Sequence, residues 1–118
     1  MSDQLNSFTS PVNKEVVEQI ERLDLSTLQK LHLKLLSHCL EVFRDISLKA
    51  DKEFPDEILL KRWCEEEAKK LKDTSFSALL YEQMSSAATK LKNYSKKQGK
   101  YALELNLEDL INLISFEN

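Results

Sequence analysis

A chain of 118 residues with 42% apolar side chains can bury one ordinary core, and its length sets one domain as the expectation. One glycine and two prolines exclude a turn-rich β architecture, which needs such residues at roughly every tenth position. A net charge of −3 excludes a surface built all round for nucleic acid, because binding phosphates takes clustered cations.

Leu, Lys and Glu dominate, and all are good helix formers. The expectation is therefore an all-α, single-domain helical bundle with four main helices and a short C-terminal one. Met1 to Ser10 is polar apart from Leu5 and Phe8 and reads as a flexible tail over 1–10, with one helical domain over 11–118. It lacks the basic stretch and apolar run of a signal peptide. No run approaches the ~18 apolar residues of a membrane span, and a cytoplasmic location is expected.

Ser10-Pro11 predicts a helix start, a capping serine before proline at the first helical position. Val12, Val16, Ile20 and Leu23 then lie on one stripe. Ser26 with Gln29 is a capping-box pattern that opens a second helix over about 27–48. At roughly 100° per residue, Leu28, Leu31, Leu33, Leu35, Leu36, Leu40, Val42, Phe43 and Ile46 cover more than half its circumference. Such a helix is either central to the fold or part of an interface. Leu33, Leu36, Leu40 and Phe43 form one seam; Leu28, Leu35, Cys39, Val42 and Ile46 form another beside it. A single short neighbour covers only one, so Leu33, Leu36 and Leu40 are candidate interface residues, most simply with a second copy about a two-fold axis.

Pro55, Asp56 and Glu57 predict the start of a third helix whose apolar face is Leu60, Trp63, Cys64, Ala68 and Leu71. Asp73, Thr74 and Ser75 predict the next start. Phe76, Leu79, Leu80, Met84, Ala87, Leu91 and Tyr94 trace a fourth helix ending near Gly99, where a left-handed cap is expected. Tyr101, Leu103 and Leu105 alternate with polar neighbours and read as an extended linker. Asn106 then caps the last helix, with Leu105 and Leu110 as a hydrophobic staple and Leu107, Leu110, Ile111 and Ile114 on its buried side.

Three polar residues fall on apolar faces: His32, Glu67 and Gln83. A buried His–Glu pair would serve as acid and base, or as two metal ligands. The structural alternative, a core histidine bonded to a neighbour and a glutamate reaching solvent, asks less of the sequence. Neither His32 nor His38 has the Glu three residues earlier that bundle metal sites use, since those positions are Gln29 and Leu35. Cys39 and Cys64 form no CxxC pair and lie on apolar faces, as buried free thiols do. No metal and no cofactor is expected, and no nucleophile motif or phosphate loop is present.

Lys90, Lys92, Lys96, Lys97 and Lys100 crowd one stretch, with Tyr94 and Tyr101 interleaved and no acid between Glu82 and Glu104. Phosphates or an acidic partner would suit them. A helix C-terminus also gathers cations on its own account, and the run holds no Arg. The functional expectation is a non-enzymatic protein–protein interaction module or self-associating bundle. Nucleic-acid or acidic-partner binding through Lys90–Lys100 is the alternative, and a ligand or enzymatic pocket near His32, Glu67 and Trp63 comes third.

Overall fold

The computed structural model describes residues Lys14 to Glu117. The expected tail over 1–10 and the Ser10-Pro11 helix start with Val12 lie outside the described residues. Five α-helices follow one another: α1 (Lys14–Glu21), α2 (Thr27–Ala50), α3 (Glu57–Lys70), α4 (Phe76–Gln98) and α5 (Leu107–Glu117), with a 3-10 turn at Ala102–Glu104 before the last. Among the described residues there is no strand.

The helix boundaries follow from capping chemistry. Ser26 Oγ accepts from the Gln29 N–H and Gln29 Oε1 accepts from the Ser26 N–H, both at 3.1 Å, so two otherwise orphaned amides at the start of α2 are satisfied. Asp56, rather than Pro55, caps α3, its Oδ1 accepting from Leu59 N–H at 2.9 Å. Asn106 and Asp109 exchange side-chain to backbone bonds at the start of α5 in the same reciprocal way. The start of α4 has no side-chain cap; Ser75 Oγ donates to Asp73 Oδ1 instead. Gly99 takes the left-handed conformation at the end of α4 (φ 68°). Asp51 and Lys72 adopt the same conformation after α2 and α3, without glycine's freedom from steric cost.

The helix α2 is central. α1 and α5 pack on it, while α3 and α4 pack mainly on each other as a helical hairpin and also meet α2. The core gathers Ile20, Leu33, Leu36, Leu40, Phe43, Leu60, Leu91, Leu105, Leu110 and Ile114. The linker between α4 and α5 is a 3-10 turn flanked by extended Tyr101 and Leu105, not extended throughout. It is pinned by Arg44 of α2, whose Nε donates to the Leu103 carbonyl and whose second guanidinium nitrogen donates to the Leu105 carbonyl, both at 2.7 Å. Glu41 pairs with the same guanidinium.

Burial corrects the assignment of the α2 seams. Leu33, Leu36 and Leu40 are 0, 2 and 3% exposed and belong to the chain's own core rather than to an exposed seam, Leu36 also bordering the space between α2 and α4. The reason is that α1, α3, α4 and α5 all pack against α2, and these leucines fall within the core they share. Cys39, Val42 and Ile46 of the other seam are buried too, but Leu28 and Leu35 are 74 and 55% exposed, and Leu31 beside them is also exposed. Leu71 and Leu79 are exposed rather than core, and Leu113 takes a buried place on α5 while Leu107 and Ile111 are half-buried.

Candidate docking groove

Leu28, Leu31 and Leu35 stand at i, i+3 and i+7, so they form one ridge along the N-terminal half of α2. Leu35 at its inner end borders a groove of about 270 Å³. One wall is α2, with His32, Leu35, Leu36, His38 and Cys39; the other is α4, with Phe76, Leu79, Leu80, Gln83, Met84, Ala87 and Lys90. Trp63 of α3 also lines it. The two walls run antiparallel: His32 faces Lys90 at one end (Nε2 to Nζ 3.4 Å), and Cys39 meets Met84 further along (Sγ to Sδ 3.5 Å). The lining is overwhelmingly apolar, and it contains no Asp or Glu.

The three polar residues singled out in the sequence separate here. His32 is half-buried at the mouth of the groove beside Lys90. Gln83 is exposed on the rim, not on a buried face. Glu67 is buried, with Lys70 donating to its Oε2 at 2.8 Å. His32 and Glu67 thus have different partners, Lys90 and Lys70. The histidine that feels Glu67 is His38: burial pushes its pKa down, and the carboxylate's charge partly opposes this.

Trp63 also borders a second, larger cleft of about 790 Å³ between α2 and α3. That cleft is lined by Glu41, Asp45, Lys49, Arg62, Glu66 and Lys70 among others, mixed charges that bind water well. The thiols are poor nucleophiles. Burial raises Cys39 to about 12, with Cys64 adding to the effect, and raises Cys64 to about 11 with help from Glu67 and Glu65. Among the described residues no three of His, Cys, Asp and Glu converge as metal ligands. Nor is any helix there long and apolar enough to cross a membrane.

The basic stretch does not form one patch. Lys90 turns to the groove, while Lys92, Lys96 and Lys100 line a shallow depression of about 470 Å³ with Phe54, Tyr101 and Glu53. Lys92 lies over the Phe54 ring at 4.6 Å, and Lys100 pairs with Asp109 at 2.9 Å. Lys97 is exposed and lines neither depression.

The residues from 12 to 117 match the family model of NDH complex assembly factor CRR9. The chain belongs to that family. The match takes in every helix described above, the groove and its ridge included. No curated protein and no solved structure matches the chain at a significant level. This CRR9-family chain is thus a helical bundle that leaves a leucine ridge and an apolar groove in water.

Proposed function

We propose that this chain is a non-enzymatic assembly factor for the NDH complex that works by docking a protein partner in the α2/α4 groove. One observation carries the proposal: Leu35 of α2 and Leu79 of α4, both more than half exposed, line an apolar groove, and the equally exposed Leu28 and Leu31 precede Leu35 along α2. Exposed apolar surface of this kind costs solubility and marks interaction sites. Trp63, which also lines the groove, is a residue type enriched among interface anchors. The role named for the family, assembly of a complex, suits binding and release of protein more than chemistry.

The test is a pair of charge insertions in cells that make the NDH complex. Leu35→Glu with Leu79→Glu alters the groove at two exposed positions, so circular dichroism should stay that of a folded helical protein, while complex accumulation on native gels falls sharply. Leu48→Glu, at an 82% exposed position of α2 outside the groove, should leave accumulation unchanged. Full accumulation with the folded double variant would remove the groove from the function.

A further inference from the structure

Lys92 and Lys96 stand four residues apart on α4, so they leave one face of the helix about 6 Å apart along its axis. Lys100, just past the Gly99 cap, joins them at the depression of about 470 Å³. Lys90 comes only two residues before Lys92, but two residues turn a helix by about 200°. The depression and the α2/α4 groove therefore lie on different faces of α4. We infer that the depression is a second interaction surface, which takes an acidic helix of a protein partner through carboxylates spaced i, i+4. This goes beyond the docking proposal and does not depend on it.

Each cation is held in its own way. The Lys92 ammonium lies 4.6 Å from the centre of the Phe54 ring, and Phe54 packs at 5.2 Å on Phe43, which is fully buried. A ring face positions a charge without cancelling it. Lys100 is spent on Asp109. Among the described residues, neither Lys92 nor Lys96 forms an ion pair. The acid in the lining is Glu53, and the Tyr101 hydroxyl engages it. A helix C-terminus accounts for cations in its last turn, as for Lys96 and Lys97. It does not account for Lys92, which precedes that turn and rests on a ring anchored in the core.

The occupant follows from spacing and number. Carboxylates at i and i+4 of a partner helix repeat at the same ~6 Å as Lys92 and Lys96, so two helices laid side by side form both pairs at once. A nucleic acid suits the surface less. Its affinity grows with the number of phosphates neutralised, and only Lys92 and Lys96 are free of an acid here. The lining holds no Arg, the residue that grips phosphate with two parallel bonds. Glu53 at the edge and a net charge of −3 on the chain both repel a long polyanion. A short acidic helix pays that repulsion over a few charges only.

The test is fluorescence anisotropy with the full chain and three labelled probes: an Ala-rich helical peptide with Glu at i and i+4, the same peptide with Gln there, and a single-stranded RNA of ten nucleotides. The Glu peptide should bind about five- to tenfold more tightly than the Gln peptide at low salt, and the gap should close as salt rises. Lys92→Gln with Lys96→Gln should erase the gap, and Glu53→Gln should widen it. Lys97→Gln, at an exposed position that does not line the depression, should leave it as it is. All these side chains are exposed, and circular dichroism checks that each variant stays helical. Equal binding of the Glu and Gln peptides, or no binding of either, would overturn the assignment. So would an equal loss with Lys97→Gln, which would mean diffuse charge, or tighter binding of the RNA than of the Glu peptide. Leu35→Glu with Leu79→Glu, on the groove side, should not change peptide binding, so this inference and the docking proposal fail separately.

Discussion

Leu33→Ala and Leu35→Ala make the same chemical change on one helix, and they should differ several-fold in cost. Leu to Ala deletes three carbon atoms, about 2.4 kcal/mol of transfer free energy if all leave a fully buried site. Leu33 is 0% exposed and enclosed by core side chains, so a cavity cost adds to this and the total is about 3–5 kcal/mol. Leu35 is 55% exposed and borders an open groove, so less than half of the transfer energy is at stake and no closed cavity forms. Its cost should be below about 1 kcal/mol. Urea unfolding followed by far-UV circular dichroism measures both. With a slope of about 1.5 kcal/mol/M for a domain of this size, Leu33→Ala should move the midpoint down by about 2–3 M, and Leu35→Ala by less than about 0.7 M. Equal shifts, or a larger one for Leu35→Ala, would mean that α2 is rotated from the orientation described and that the groove is not where Leu35 places it.

Arg44→Met should destabilise by about 1–3 kcal/mol in the same assay, less than two full charge-assisted bonds because the side chain is partly exposed and water replaces some of what is lost; Arg44→Lys should recover only part, since an ammonium lacks the planar fork that spans both carbonyls. Lys72→Gly should stabilise by about 0.5–1 kcal/mol, because glycine relieves the left-handed strain at φ 57° by more than it adds to the freedom of the unfolded chain; a loss of stability would refute that balance. Burial raises the Asp109 carboxyl, but hydrogen bonds from Lys100 and the Asn106 N–H outweigh it and hold the pKa below its ordinary value. A depressed carboxylate contributes above its unfolded pKa of about 3.9 and loses that contribution as pH falls through the folded value. The stability gap between wild type and Asp109→Asn should therefore be present at pH 7 and shrink below about pH 4; a gap unchanged with pH would show that the carboxylate's charge is not what stabilises.

Much of the architecture is legible in the residues because it is local. Ser26 with Gln29, Gly99, Asn106 and the Leu105/Leu110 pair each declare a helix end within one turn of sequence, and each is found where that chemistry puts it. The choice between the α2 seams is not local. Leu33 and Leu35 carry the same side chain, and what separates them is where the other helices come to rest on α2, which buries one and leaves the other exposed. The sequence shows an excess of apolar surface on α2 but not which leucines supply it. Arg44 gives no signal either, for its partners are carbonyls far along the chain. Asp51 and Lys72 hide two helix ends because neither is a residue that favours positive φ as glycine does. The grouping of Lys92, Lys96 and Lys100 is present in their i, i+4, i+8 spacing, although Lys90 and Lys97 obscure it when the run is read as a whole.

The seating of α5 on α2 matters for the nascent chain. A ribosome that has released α1 to α4 but still holds α5 presents a bundle lacking Leu105, Leu110, Leu113 and Ile114, the groups from the last helical segment that complete the core around α2. For that interval the growing polypeptide shows a second oily face besides the ridge it retains when finished. Chaperones recognise such transient surface, and unrelated nascent chains stick to it. Arg44 cannot close its clip until Leu103 and Leu105 have emerged, so the final fastening of the fold follows translation of the linker rather than accompanying synthesis of α2.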